Sequence, residues 1–276
     1  MHQPRGVTNI TKRIITEKIS IYASKNQALA ALLSKPEKAA FVAAADGEEG
    51  AARPPTLAIM AHDFPGHKAG NNDIFADIEL LLVEKGFHTL RFDFRGCGES
   101  DGARESFTMS GAMEDFQQVM HWGRDQGFRN YILIGEGLGA SLAALNCDID
   151  VKALVLLWPA LDTKLYADNV FGEPDQEARQ KGYIEKNGCR ASMGFLEELK
   201  KANLIKGLQD VRAPTLILHG AEDEILPIEQ LDLARKHMRS DRIEITTFHD
   251  GGHGLRKLNH RKMVFYHITQ FAEKYA

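Results

Sequence analysis

The chain has 276 residues, 43% of them hydrophobic and 26% charged, which fits one large α/β domain with a sizeable core. A net charge of −4 with acidic and basic residues interspersed leaves no electrostatic footprint for nucleic acid. The first residues, MHQPRGVTNITKR, lack an apolar signal region, and no run approaches the ~18 apolar residues of a membrane span. The three cysteines, Cys97, Cys147 and Cys189, are odd in number and have no paired spacing, so free thiols in a reducing compartment are expected, with the cytoplasm as the default location.

Residues 12–35 alternate, with Ile15, Ile19 and Ile21 and then Leu29 to Leu33, and predict a pair of strands. The stretch AAADGEEGAARPP (43–55) is expected to be an exposed loop. From Thr56 onward, short β-rich segments follow at 56–62, 88–94, 130–135, 151–158, 213–220 and 242–249, several of them nearly continuous apolar runs as for strands buried on both faces. Segments of helical period lie between and after them at 72–86, 108–126, 138–147, 228–239 and 257–275. Strand alternating with helix implies a mostly parallel central sheet with helices on both faces. One connection, from Trp158 to Ala213, is too long for a simple crossover and predicts a small, partly helical insertion.

Ligands of such sheets bind at the carboxyl ends of the strands. The segments to inspect are therefore HDFPGHK (62–68), RGCGESDG (95–102), GEGLG (135–139), GAEDEILP (220–227) and DGGHG (250–254). Gly135-Glu136-Gly137-Leu138-Gly139 stands between a strand and a small-residue helix, as a G-x-S-x-G nucleophile elbow does, with glycine where the serine would be. An acid after a later strand, Asp223, and a histidine after the last strand, His253, complete the order elbow, Asp, His. Asp223 would orient the imidazole, and His253 would act as base beside the elbow. Singly, each feature has a plainer reading: a tight turn, the N-cap region of a helix, a structural histidine.

Together these segments resemble the α/β-hydrolase family nearly end to end, and most of all its bacterial serine hydrolases of the cinnamoyl-esterase and serine aminopeptidase-like (monoacylglycerol lipase-like) group. HDFPGHK is similar to the group's HGFTGHK oxyanion loop, and GFHTLRFDFRGCGESDG (86–102) to its long G-[YI]-x-V-x-R-F-D-x-R-G-x-G-x-S-D-G signature. LILHGAEDEILP (216–227) and FHDGGHG (248–254) match the segments that carry the catalytic acid and histidine. The resemblance implies an α/β-hydrolase fold in a single domain over 1–276, with 159–210 as a cap insertion over the pocket. It also implies an oxyanion hole built from the backbone N–H groups of Phe64 and Leu138.

Two departures fall in the loops that do the chemistry. Gly137 occupies the nucleophile position, and without an Oγ no acyl-serine can form. The H-G dipeptide of the oxyanion loop is His62-Asp63 here, and a carboxylate at that point would repel a developing oxyanion unless it turned away. Ser141 lies one turn deeper on the helix, where its hydroxyl is expected to bond back to a helix carbonyl. Cys97 is expected to be a small filler at the pocket rim, and Ser100 to stabilise a turn.

His62, Asp63 and His67 superficially resemble metal ligands, but they fall in the segment that matches the oxyanion loop, and neither a metal nor a cofactor is expected. The N-terminus of the helix at Leu138 would attract an anion, including a carboxylate ligand. The cap aromatics Tyr166, Phe171, Tyr183 and Phe195 are expected either to line an aromatic or acyl pocket or to form the cap's own core. Two functions follow. The pocket binds a small ester, acid or partner without ordinary serine-esterase turnover, or it hydrolyses small carboxylic esters with water activated by His253 or with an unrecognised nucleophile. A serine removed on purpose to trap substrate fits less well, because alanine is the usual replacement and Asp63 would stay unexplained.

Overall fold

A computed structural model describes residues 14–23, 26–37, 54–186 and 189–276. The loop expected over 43–55 and the first residues of the strand pair expected over 12–35 lie largely or partly outside these residues. Eight strands form the main sheet in the order β1-β2-β4-β3-β5-β6-β9-β10. They are β1 (Ile14–Tyr22), β2 (Ala28–Pro36), β3 (Thr56–Ala61), β4 (His88–Phe92), β5 (Asn130–Glu136), β6 (Val151–Leu157), β9 (Thr215–Gly220) and β10 (Ile243–Phe248). The six strands from β4 to β10 run parallel, while β1 and β2 pair antiparallel at one edge.

The apolar runs explain the layering. Every residue of β3 and β9 is buried, as are all but the first of β5 and the second of β6, because these central strands are covered on both faces. The edge strands β1 and β10 keep several exposed positions. Helices α1 (Ile74–Glu84), α2 (Met109–Asp125), α3 (Leu138–Leu145), α8 (Leu231–His237) and α9 (Leu258–Tyr275) connect or follow the strands. Helix α1 packs beside α9 and α2 beside α3. The chain leaves β3 in one direction for β4 and passes back across it for β5. Right-handed crossovers in opposite directions put α1 and α2 on opposite faces of the sheet. Helix α2 is started by Thr108, whose side chain accepts from the Gly111 N–H.

Between β6 and β9 the chain forms α4 (Thr163–Val170), α5 (Gln176–Lys181), the antiparallel pair β7 (Tyr183–Lys186) and β8 (Cys189–Ser192), α6 (Met193–Lys201) and α7 (Ile205–Leu208). Phe171 and Phe195 are buried against Phe64, with ring centroids 6.3 and 4.9 Å away. They therefore pack the insertion onto the loop after β3. Tyr183 is half-buried beneath the Arg190 guanidinium. Of the four aromatics, Tyr166 is the one that lines a cleft.

Candidate active site

Strand register decides which loops meet. Ala61 at the end of β3 pairs with Gly135 on β5, so Asp63 and Gly137, each two residues further on, leave the sheet at the same level. On the other side, Phe248 of β10 pairs with Gly220 of β9, which brings the loops carrying His253 and Asp223 together. The Glu222 N–H donates to the Gly251 carbonyl at 2.8 Å and fixes the two loops to each other.

The turn at Gly137 has φ 53° and ψ −121°, in the region that favours glycine. Its N–H donates to Leu157 O and its carbonyl accepts from the Ala160 N–H, so the turn is braced on the end of β6. Gly139 is required for packing. A β-carbon there would stand 2.2 Å from the Ala61 carbonyl oxygen, so α3 approaches β3 only because the side chain is absent.

Asp63 does not turn away. Its Oδ1 accepts from the Phe64 N–H at 2.8 Å and from the Leu138 N–H at 2.7 Å, the two donors expected to form an oxyanion hole. The Tyr166 hydroxyl, from α4, donates to the same oxygen at 3.0 Å and also contacts the Phe64 carbonyl. The anion at the N-terminus of α3 is thus the chain's own carboxylate rather than a ligand. A β-carbon on Gly137 would lie 2.2 Å from Asp63 Cγ and 2.2 Å from Oδ2. The carboxylate fills the volume that a residue-137 side chain would enter. Burial raises the Asp63 carboxyl above its ordinary value, opposed by the Leu138 N–H, the charge of His253, the Phe64 N–H and Tyr166.

His253 Nδ1 lies 3.0 Å from Asp223 Oδ2 and 3.2 Å from Oδ1. Asp223 is held in turn by the N–H groups of Ile225 and Leu226, at 3.0 and 2.8 Å from Oδ1. With Nδ1–H committed to the carboxylate, Nε2 is the free nitrogen of the ring. Burial pulls the imidazole down, but the hydrogen bond and charge of Asp223, followed by the charge of Asp63, outweigh it and hold His253 above its ordinary value.

Glu136, beside Gly137 in the elbow, was not singled out from the sequence. Its side chain turns into the cleft, where Oε1 accepts from the Asn71 N–H at 2.9 Å. Oε2 is buried without a hydrogen-bond partner among the described residues. Burial, with the neighbouring charge of Asp63, pushes the carboxyl up to about 8, so it carries its proton at neutral pH. The cleft has a volume of about 370 Å³, and its lining includes Asp63, Glu136, Tyr166, Val170, Ile225 and His253.

The remaining candidates have other duties. Ser141 donates to the Ala160 carbonyl at 2.5 Å rather than to a helix carbonyl, because the loop after β6 passes over α3 at that point. Cys97 is buried and its thiol is pushed up to about 12 by burial, which leaves it unreactive. Ser100 donates to Asp93 O and accepts from the Ala30 N–H, tying its turn to β2. His62 is buried between the Phe94 N–H and the Asp63 carbonyl, and burial lowers it to about 4. It is a neutral brace for the loop, and no group of metal-binding side chains occurs among the described residues.

Comparison with known proteins agrees with this architecture. The family profile described as serine aminopeptidase, S33 (Hydrolase_4) matches residues 71–181. The human mitochondrial palmitoyl-protein thioesterase ABHD10 is 26% identical over 208 residues, covering 71% of this chain and 67% of that protein. The ferulic acid-bound esterase Est1E from Butyrivibrio proteoclasticus superposes with a TM-score of 0.77 at 21% identity, covering 93% of this chain and 98% of that one. Mouse ABHD10 superposes with a TM-score of 0.71 at 21% identity, covering 94% and 99%. The chain has the α/β-hydrolase fold. No helix among the described residues is long and apolar enough to cross a membrane.

Proposed function

We propose that the chain is an α/β-hydrolase of the esterase and acyl-hydrolase type whose cleft takes a small, partly apolar ester, and that it forms no acyl-serine. One observation carries this reading. The Asp63 carboxylate stands in the volume above Gly137 and holds both backbone donors that would otherwise receive a substrate oxyanion. A tetrahedral intermediate of acyl transfer needs those donors. With Asp63 on them and no Oγ beside them, the serine route lacks its nucleophile and its hole together.

The Asp223–His253 pair supports a hydrolytic rather than a purely structural site, because its free nitrogen belongs to a residue that lines the cleft. Residues 159–210 act as a cap: Tyr166 and Val170 of α4 line the cleft and Tyr166 bonds to Asp63.

A fluorophosphonate probe and a feruloyl or short-chain nitrophenyl ester test the reading. Wild type should not be labelled at any serine. Labelling of a serine, with ester turnover that disappears on labelling, would overturn it.

A further inference from the structure

We propose that Arg256 and the side-chain amide of Asn71 form a carboxylate subsite in this cleft, and that the ester it takes carries one free carboxylate a few carbons from its ester group. The proposal rests on the reading that the cleft takes a small ester, and it names the class of that ester.

The segment after His253 brings Arg256 to the cleft. Gly254 and Leu255 have φ of 76° and 45°, both in the left-handed region, and the Leu255 N–H donates to the Gly252 carbonyl at 3.2 Å. Leu255 is buried and anchors this turn, and the exposed Arg256 beside it joins His253 in the lining of the cleft. A positive φ at leucine is strained, so the turn is held by the burial of that side chain.

Position 254 shows how two donors converge. A β-carbon on Gly254 would stand 2.8 Å from Asn71 Nδ2 and 3.8 Å from Arg256 Nε, so the amide and the guanidinium flank one small space. The amide is turned for donation. Its Oδ1 accepts from Asn72 Nδ2 at 2.8 Å, while Nδ2 has no acceptor among the described residues. The Asn71 backbone N–H is already taken by Glu136, which fixes the residue at the edge of the cleft.

Arg256 likewise has no ion pair or hydrogen bond among the described residues. The two acids of the lining are committed elsewhere. Asp63 Oδ1 is bonded by Phe64, Leu138 and Tyr166, and Glu136, pushed up to about 8, carries its proton at neutral pH. No lysine and no other arginine lines the cleft. A guanidinium keeps its charge across the working pH range, and its planar fork of N–H groups matches a carboxylate. One full positive charge balances a carboxylate but leaves half of a phosphate dianion uncompensated. Val170 and Ile225, in the same lining, offer apolar surface to the methylenes that join the carboxylate to the ester.

The monomethyl esters of succinate, glutarate and adipate serve as probes, each beside its neutral dimethyl ester. Binding is followed by calorimetry and by the NMR shift of the His253 imidazole, and where an ester is turned over, kcat/KM replaces Kd in the same comparison. At least one half-ester should bind on the order of 10-fold more tightly than its dimethyl ester and move the His253 signal. Arg256→Gln should bring that pair level, Arg256→Lys should keep part of the preference, and Asn71→Ala should reduce it by less than Arg256→Gln does. Melting curves of the variants that match wild type show that the fold is intact. No preference for any half-ester, a preference that survives Arg256→Gln, or tighter binding of methyl phosphate than of every half-ester would overturn the proposal while leaving the cleft an ester site. If the dimethyl esters and the half-esters all fail to bind, the reading it rests on falls, and the proposal with it.

Discussion

A β-carbon at position 137 and the carboxyl group of Asp63 compete for one volume, 2.2 Å separating the first from Cγ of the second. The missing serine and the altered oxyanion loop, which look like two independent departures along the sequence, are a single feature in space. It follows from the pairing of Ala61 with Gly135, which sends residues 63 and 137 off the sheet at the same height.

Restoring the serine alone should therefore fail. Gly137→Ser puts a side chain at φ 53°, ψ −121°, at a cost of roughly 1–3 kcal/mol for a non-glycine residue in so sparsely populated a region, and adds the collision with Asp63. The single variant should melt lower than wild type and stay unlabelled by fluorophosphonate. Gly137→Ser combined with Asp63→Gly should recover stability relative to that single variant, take the label and hydrolyse nitrophenyl esters. The double-mutant cycle should show a coupling of at least about 1 kcal/mol between the two positions. Additive melting temperatures would mean that the two side chains do not share this volume.

Glu136 should make the stability of the protein depend on pH. Its folded-state value of about 8 lies above the 4.5 of an ordinary glutamate, so folding holds the proton more tightly than the unfolded chain does. The associated stability is complete below about pH 4.5 and is lost as pH rises through about 8. Each unit of difference corresponds to about 1.4 kcal/mol, so the loss amounts to a few kcal/mol across that window. Glu136→Gln replaces a protonated carboxyl by a neutral side chain of similar shape. The variant should gain on wild type in melting temperature steadily between pH 5 and 8, and parallel curves would refute the raised value.

The alternation of apolar runs with helical segments made the parallel sheet legible, because a strand buried on both faces must be apolar throughout, as β3 and β9 are. The loops that hold Gly137, Asp223 and His253 could be located for the same reason, each following a strand. The position of the Asp63 side chain could not be read, because it depends on register between β3 and β5 and on the two N–H groups that the elbow leaves open. Glu136 was missed because it sits at a variable place in the elbow pattern, at the end of a strand whose other inner residues are apolar. A charged residue at the end of an otherwise apolar strand was the available signal. Ser141 was assigned a helix carbonyl because local geometry favours one. Its actual partner, Ala160, belongs to a loop whose path the sequence does not reveal.

The imidazole of His253 should report the carboxylates around it. Burial lowers its affinity for a proton, and it stays above its ordinary value because Asp223 bonds it and Asp63 adds negative charge. Asp223→Asn removes the largest favourable contribution and leaves the burial, so the titration midpoint seen by NMR should fall by about a unit or more. Asp63→Asn should lower it by less. A midpoint that does not move in Asp223→Asn would show that the hydrogen bond at 3.0 Å does not hold the ring in solution.

Tyr166 joins the insertion to the reactive loop, and its hydroxyl should matter more than its ring. The ring is buried, and the hydroxyl reaches both the Asp63 carboxylate and the Phe64 carbonyl. Tyr166→Phe keeps the packing and removes the donor, leaving a buried carbonyl with one partner fewer at a cost of about 1–3 kcal/mol. For a chain of this size that corresponds to a fall in melting temperature of roughly 2–4 °C per kcal/mol. Loss of the donor also removes one of the groups opposing the burial of Asp63, so that carboxyl should titrate higher in the variant. Amide exchange should quicken in α4, whose attachment to the loop after β3 is weakened, while β5 and β6 stay protected. Unchanged exchange in α4 with an unchanged melting temperature would remove Tyr166 as the link between the cap and Asp63.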